Sequence, residues 1–374
     1  PLFPGAETFP VVAVIRRPHP ADSTEKRTLT VCPIPREVLD DLKLTPYVEK
    51  HSFGVPTLSL KPEGWTLEPS DVLRLFEKIK KSWQPLKEIV GDVPYRCVVT
   101  GLNEAFFIDQ VTRDRLVTED PKCEKLIKKL IRGQNIERWE AKWEGEWLIF
   151  ANHGIAIEQF PSIKAHLLQF RKQLEPKPKD WDVQKQGKWP GRKPGIYKWY
   201  ELQDPVDYYG KFEKPKILYQ DIQTHSWFAL DEKGCYLNNT GYFLGTGDLY
   251  VLSVLNSPLM WWFNHRYLPH AINEALRAFT FLFESIPIAE PSGIARAKIE
   301  ERATRLIELA KSFAKQRIAF LQWVSHETGV AKVPASLEKP WQLQPDGFLD
   351  ELKKAGLKRA TPATLQHLTQ TFER

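Results

Sequence analysis

Two acidic residues and a lysine stand at a spacing that could support metal-dependent hydrolysis. Asp120 is followed by the triplet Glu140-Ala141-Lys142, the order of a D…E-x-K nuclease core. In such a core two carboxylates hold a magnesium ion while the lysine steadies the attacking water. Asp120 also precedes Pro121, which is typical of a helix start, so a capping role explains this aspartate more simply. The nuclease interpretation is kept as an alternative, and we predict no catalytic residue.

Other catalytic signatures are absent or incomplete. The sequence Asp92-Val93-Pro94-Tyr95 has one proline where the base-gripping loop of amino-methyltransferases requires two, which favours coincidence. There is neither a Gly-rich phosphate loop nor a G-x-S-x-G elbow. The four cysteines and nine histidines are dispersed, with no pair at metal-ligand spacing, so we expect no metal site.

Positive charge is concentrated in one stretch, which we call the basic segment (Arg171 to Lys198). It holds nine Lys or Arg against three acids, a net charge of +6 that equals the net charge of the whole chain. Five aromatic residues alternate with these cations: Trp181, Trp189, Tyr197, Trp199 and Tyr200. Cations neutralise phosphates and planar rings stack on bases, so the pattern favours nucleic acid over a solvated loop.

Composition restricts the remaining classes. The chain has 374 residues, of which 42% are hydrophobic and 27% charged, enough for two or three domains with real cores. No apolar run reaches the length of a membrane span, and the start lacks the pattern of a signal peptide. Dispersed cysteines fit a reducing cytoplasm. Because the sequence opens on Pro1, we interpret it as a piece of a longer protein.

Periodicity and turn residues predict the secondary structure. The predicted strands are 11–15, 28–32, 98–99, 106–108, 147–150, 216–219, 227–230 and 242–244. The predicted helices are 71–83, 121–131, 161–174, 250–255, 259–263, 299–324, 348–354 and 364–372. Residues 33–69 are predicted to be a linker with little structure, and residues 175–195 a long loop.

Eight phrases then resemble one family, the TaqI-like C-terminal specificity (target recognition) domain. This domain belongs to adenine-specific DNA methyltransferases, type IIG restriction-modification enzymes and the BREX methyltransferase. The phrases occur in the family's order from about residue 90 to 290: TGLNEAFFID (100–109), EDPKCEKLIKKLIRGQNIERW (119–139), WLIFANHG (147–154), WYELQDP (199–205), EKPKILYQDI (213–222), FALDEKGCYLNNTGYFL (228–244), VLSVLNSPLMWWF (251–263) and FESIPI (283–288).

The resemblance implies a fold and a division of the chain. We predict an α+β (mixed α/β) fold with a mixed β-sheet, followed by a C-terminal α-helical domain. Residues 1–50 resemble the last strands of a methyltransferase domain, 51–90 form a linker and helix, 91–290 the specificity domain, and 291–374 the helical domain. The family's cofactor loop is absent, so we expect no cofactor here and S-adenosylmethionine only in the parent enzyme.

The resemblance also implies partners: double-stranded DNA and an upstream methyltransferase domain of the same chain. Departures at Cys97, in Arg132-Gly133-Gln134-Asn135-Ile136 and across 265–283 leave the target sequence open. A protein-interaction module built on the long helix 299–324 remains a further alternative.

Site residues are assigned on this basis. Phosphate contacts are predicted for Arg171, Lys188, Arg192, Lys193 and Lys198. Base reading is predicted for Tyr200, Gln203, Gln223, Arg266, Asn273 and Arg277. Thr100, Asn103, Arg132 and Asn135 match family motif positions and are predicted to build the scaffold of the recognition cleft.

Overall fold

The computed structural model describes residues 13–14, 27–35, 38, 42–60, 65, 67–271, 275–330, 333–338, 343–357, 366–368 and 370. The chain forms two compact units, Pro1–Glu300 and Glu301–Arg374. Predicted domain borders at residues 90 and 290 fall inside the first unit. The border predicted at residue 50 falls between two strands that pair with each other.

The strands of the first unit, in chain order, are β1 Thr28–Val31, β2 Phe53–Pro56, β3 Gln84–Pro85, β4 Pro94–Arg96, β5 Phe107–Ile108, β6 Ile127–Ile131, β7 Trp147–Ile149, β8 Lys216–Gln220, β9 Ile222–Gln223, β10 Phe228–Asp231, β11 Tyr236–Leu237, β12 Gly241–Leu244, β13 Leu276–Arg277 and β14 Pro287–Ile288. The helices of the described chain are α1 Leu44–His51, α2 Ser70–Ser82, α3 Leu86–Val90, α4 Asn103–Phe106, α5 Gln110–Glu119, α6 Pro161–Leu168, α7 Arg171–Leu174, α8 Val183–Gln186, α9 Leu249–Leu255, α10 Pro258–Tyr267, α11 Thr280–Phe283, α12 Gly293–Thr328 and α13 Pro345–Lys354.

Two four-stranded sheets form the centre of the first unit. Their strand orders are β10-β8-β12-β4 and β11-β6-β7-β5, and β11–β6 is the parallel pair within them. Side chains of both sheets, such as Leu130 and Leu148 from one and Leu218 and Phe243 from the other, belong to one buried cluster. The α+β fold with a mixed sheet and a C-terminal helical region is therefore confirmed.

One buried ion pair joins two neighbouring strands of the first sheet. Lys216 on β8 lies opposite Asp231 on β10, and both side chains are buried. The Lys216 ammonium contacts the Asp231 carboxylate and donates to Phe212 O at 2.6 Å. Asp231 also accepts hydrogen bonds from the backbone N–H groups of Lys233 and Cys235. Buried charges are stable only when paired and hydrogen-bonded in this way.

Strongly periodic segments fold as predicted. The structure has α2, α9, α10, α12 and α13 and the strands β7, β8, β10 and β12 within a few residues of the predicted bounds. In α2 the residues Phe76 and Ile79 are buried, as helical spacing requires. Predicted segments 11–15 and 364–372 lie mostly outside the described residues.

The helix predicted for residues 121–131 is wrong. Pro121–Leu126 is a 3₁₀ helix whose start is capped by Asp120, and Ile127–Ile131 is the strand β6. β6 pairs with β7 on one side and with β11 on the other, so its backbone is satisfied within the sheet. The run Ile-Lys-Lys-Leu-Ile is compatible with both helical and strand periodicity. Its pairing with β7 and β11 makes it a strand.

The linker predicted for residues 33–69 is also wrong. It contains the helix α1 and the strand β2, which pairs antiparallel with β1 so that Val55 lies opposite Leu29. Val55 is fully buried. Pro46 lies in the first turn of α1, where a missing N–H costs nothing, so prolines there do not exclude structure.

The second unit has its own core. Val324, Leu337, Phe348, Leu352 and Leu368 form a buried cluster. Along α12 the residues Leu306 and Leu309 are exposed, while Ala303 and Ile307 are buried. The predicted long helix is thus confirmed, and its role in binding a partner stays a prediction.

Candidate nucleic-acid interface

The basic segment is a closed loop rather than an open tail. The helix predicted for 161–174 is broken at Gln169 and Phe170 into α6 and α7, and the loop begins after α7. Its two ends meet at a neck, where Arg192 N donates to Glu175 O and Lys177 N donates to Arg192 O, both at 3.0 Å. A Cβ at residue 191 would lie 2.2 Å from Glu175 O, so the neck requires Gly191.

Arg192 fastens this neck to the body of the unit. Its side chain is only 4% exposed, and its guanidinium donates to five backbone carbonyls at 2.7–3.2 Å: Leu174, Thr100, Glu201, Lys198 and Trp199. Burial lowers the pKa of Arg192 to about 10. With its donors occupied, Arg192 cannot reach a phosphate, so its predicted contact is wrong and its role is structural.

The residue that faces Arg192 is a glycine for steric reasons. Gly101 has a φ of +77°, and a Cβ there would lie 2.5 Å from Cδ of Arg192 and 2.9 Å from Oε1 of Gln203. Thr100, one residue earlier, is buried and donates through Oγ1 to Oδ1 of Asn103 at 2.7 Å. Thr100 thus connects Asn103 to the neck of the basic segment, and their predicted role as scaffold of a recognition cleft stays a prediction.

The aromatic rings in and just after the basic segment divide into two groups. Tyr197 and Trp199 are buried: Arg192 lies 4.3 Å from the Tyr197 ring centroid, and Arg171 lies 4.3 Å from that of Trp199. Burial raises the pKa of Tyr197. The expectation that these two rings stack on bases is wrong, because they fill the base of the loop.

The other rings are half-buried. Trp181 and Trp189 meet edge to face with centroids 4.6 Å apart. Each indole N–H is used inside the loop, Trp181 donating to Gly187 O and Trp189 to Glu175 O. Tyr200 lies edge-on against Trp199, with centroids 5.4 Å apart. Trp181 and Trp189 thus hold the loop in shape, and Tyr200 keeps a half-exposed ring.

The remaining predicted phosphate contacts are exposed. Arg171 pairs with Glu175 and Lys193 pairs with Asp204 at 3.2 Å, while Lys188 lies at the tip side of the loop. A hydrogen bond to the Tyr200 hydroxyl raises the pKa of Lys198, so this lysine stays charged. The loop also exposes Lys179 and Lys185, which sequence reasoning left unassigned.

The predicted base-reading residues lie in different environments. Gln223 is 1% exposed and donates through Nε2 to Gln220 O, so it cannot reach a base edge and this prediction is wrong. Gln203 is half-buried beside Gly101. Arg266 pairs with Glu68 at 3.0 Å and lies over the Trp262 ring. Asn273 lies outside the described residues.

Arg277 is held in place by two side-chain contacts. Its Nη2 donates to Oδ2 of Asp221 at 3.2 Å, and its guanidinium lies 4.8 Å from the Phe279 ring centroid. The side chain remains 43% exposed, so it is held in one place without being enclosed. Sequence reasoning missed Asp221, because its contact with Arg277 joins residues 56 positions apart.

Two scaffold residues line an open cavity of about 610 Å³. Arg132 forms a bidentate ion pair with Glu146, with both N···O distances at 2.6 Å, and Asn103 lies on the same wall. Asn135 is buried, and its backbone carbonyl accepts from Lys142 N. Arg132 and Asn135 thus fix the segment after β6.

The nuclease alternative gains no support from the geometry. Asp120 accepts hydrogen bonds from Lys122 N and from Sγ of Cys123, and Lys142 pairs with Glu137 at 2.6 Å. Among the residues that the structure describes, no group of three or more His, Cys, Asp or Glu could hold a metal ion. Within the same part of the chain, no helix has the length and apolarity needed to span a bilayer.

Two sequence models match different parts of the chain. Residues 128–288 match the sequence model of the TaqI-like C-terminal specificity domain, so the resemblance is confirmed for this part of the chain. Residues 292–374 match a domain family of unknown function, DUF8810.

One solved structure that resembles this chain is the Type IIL restriction-modification enzyme MmeI in complex with DNA. The identity is 14% and the TM-score 0.41, covering 78% of this chain. This chain spans 36% of the length of that protein. No curated protein matches.

Proposed function

We propose that this chain recognises a specific sequence in double-stranded DNA on behalf of an adenine-specific DNA methyltransferase or a type IIG restriction-modification enzyme. One observation carries the proposal: the match to a specificity-domain family covers the segment in which exposed cations are concentrated. Positioning on DNA depends on phosphate contacts, and specificity on contacts to base edges.

The basic segment suits the positioning role. Lys188 is exposed on a loop whose neck is fixed by Arg192, and Lys193 and Lys198 are exposed just after that neck. A fixed loop loses little conformational entropy when it binds, and its lysines displace counterions from the phosphates. Arg171 adds a fourth cation at the foot of the loop, beside Trp199.

Base reading is assigned to a smaller set than the sequence suggested. Arg277, Arg266, Gln203 and Tyr200 keep side-chain surface that a base edge could contact. Arginine pairs with guanine through two hydrogen bonds, and glutamine pairs with adenine. We further propose that methyl transfer, with S-adenosylmethionine as donor, belongs to another domain of a longer cytoplasmic protein that acts in restriction-modification or phage defence.

Salt dependence of duplex binding tests the proposal. The variant Lys188→Gln/Lys193→Gln/Lys198→Gln should bind any duplex more weakly, with the slope of log K against log salt reduced by about 0.9 for each lost phosphate contact. A matched control replaces three exposed lysines elsewhere, Lys78, Lys311 and Lys315. Fluorescence anisotropy with a labelled 30-bp duplex of random sequence measures both. Equal slopes for the two triple variants would remove the basic segment from the interface.

A further inference from the structure

Two apolar side chains near Arg277 are exposed. Ile222 on β9 is 51% exposed, and Phe281 on α11 is 63% exposed. Single exposed apolar residues are common on proteins and need no explanation. Here, however, the two belong to one continuous surface.

Strand pairing and side-chain contacts link the members of this surface. Ile222 lies directly opposite Arg277 in the antiparallel pair β9–β13. The Arg277 guanidinium lies 4.8 Å from the Phe279 centroid, and the Phe279 and Phe281 rings are stacked with centroids 5.7 Å apart. We call these four residues (Ile222, Arg277, Phe279 and Phe281) the Arg277 patch.

The patch is supported by the core beneath it. Asp221 holds Arg277 through its carboxylate and accepts from Ala278 N through its carbonyl at 3.0 Å. Phe283, at the end of α11, is buried and stacks on Tyr219 of β8 with centroids 4.3 Å apart. The exposed rings therefore belong to a segment that Phe283 anchors to β8.

We propose that the Arg277 patch is a wedge that unstacks a base step in bound duplex DNA, an inference that rests on the proposed function. Phe281 inserts its ring at the step, Ile222 packs against the neighbouring base, and Arg277 bonds the adjacent base edge or phosphate. Apolar side chains inserted between bases unstack them at a cost of a few kcal/mol, which further contacts offset.

Charge favours DNA over an apolar protein surface as the occupant. Arg277 lies opposite Ile222 and against the Phe279 ring, and its side chain is still 43% exposed. An apolar partner would strip water from this guanidinium without offering an acceptor. DNA offers both the π faces that suit Phe281 and the acceptors that suit Arg277.

The test compares two duplexes of the same sequence, one intact and one with a single abasic site. The abasic duplex lacks a base at the step, so the protein does not have to unstack one when it binds. The wild-type chain should bind the abasic duplex about tenfold more tightly at low salt, equivalent to about 1.4 kcal/mol. Phe281→Ala and Ile222→Ala should lose this preference for the abasic duplex. Phe281→Trp, which keeps a ring, should retain the preference.

Val111→Ala provides the matched control, because Val111 is an exposed aliphatic residue on α5. Circular dichroism checks that each variant is folded. Because Ile222 and Phe281 are exposed, we expect their replacement to leave the fold intact. Equal affinity of the wild type for both duplexes, or a preference that survives Phe281→Ala, would overturn the wedge. Absence of salt-dependent binding to either duplex would overturn the proposed function itself, and the wedge with it.

Discussion

Nη1 of Arg192 donates a hydrogen bond to the carbonyl oxygen of Thr100 at 2.8 Å, across 92 residues of sequence. This contact joins the neck of the basic segment to the turn before α4. Because the same guanidinium also holds Leu174, Lys198, Trp199 and Glu201, one side chain organises every segment that meets at the neck.

Removing Arg192 should therefore destabilise the first unit strongly. Arg192→Met leaves several buried carbonyl groups without a donor, and we expect a loss of about 3–5 kcal/mol in the free energy of unfolding. Arg192→Lys keeps some of these donors, so its loss of unfolding free energy should be smaller than that of Arg192→Met. Urea unfolding followed by circular dichroism measures both, and Lys193→Met, which changes an exposed neighbour, should stay within about 0.5 kcal/mol of wild type.

Arg277 and Gln223 should differ in their effects on sequence preference. Arg277→Gln should relax one base position by about 1–3 kcal/mol, because glutamine cannot make the bidentate contact with guanine that we propose for Arg277. Gln223→Ala should leave the preference unchanged, since that side chain is buried beneath the surface. Selection from a duplex pool with a randomised centre, followed by sequencing, gives both profiles. A relaxed position in the Gln223→Ala profile would contradict the assignment.

His166 should make stability depend on pH. Burial lowers its pKa from the ordinary value of 6.5, with Arg115 contributing in the same direction. The unfolded chain then binds more protons than the folded one, so stability falls as the pH drops from about 7 to about 5. His166→Gln should flatten this dependence while keeping a donor towards Ala105 O.

Chemical unfolding at a series of pH values measures the His166 effect as a difference from wild type. His225→Gln, at an exposed histidine that contacts Thr224, serves as the control and should keep the wild-type profile. If the His166→Gln profile ran parallel to that of wild type, the histidine would not be the source.

The contributions of Lys216 and Asp231 to the free energy of unfolding should be strongly coupled. Lys216→Met alone leaves the Asp231 carboxylate buried without its cation, and we expect a loss of about 3–5 kcal/mol. Asp231→Asn should cost a similar amount. The double variant should be more stable than the sum of the two losses implies, which urea unfolding of all four proteins measures as a double-mutant cycle. Additive losses would show that the pair does not act as a unit.

The sequence by itself determined the elements with strong local periodicity and the type of domain. α2 and α12 follow from 3.6-residue spacing, and β8, β10 and β12 from short runs of aromatic and aliphatic residues, since these patterns indicate which residues must be buried. The concentration of charge in the basic segment is also visible in the sequence. So is the resemblance of residues 128–288 to a specificity domain.

Tertiary structure alone decided which side chains of these segments face outwards. Arg192 and Lys193 are neighbours of the same charge, yet one is buried under carbonyl groups and the other is exposed. Gln223 and Ile222 are likewise adjacent, and the polar one is buried because β9 pairs with β13 in the register that places Ile222 opposite Arg277. Local sequence does not encode such outcomes, because each depends on a partner more than 50 residues away whose position the whole fold determines.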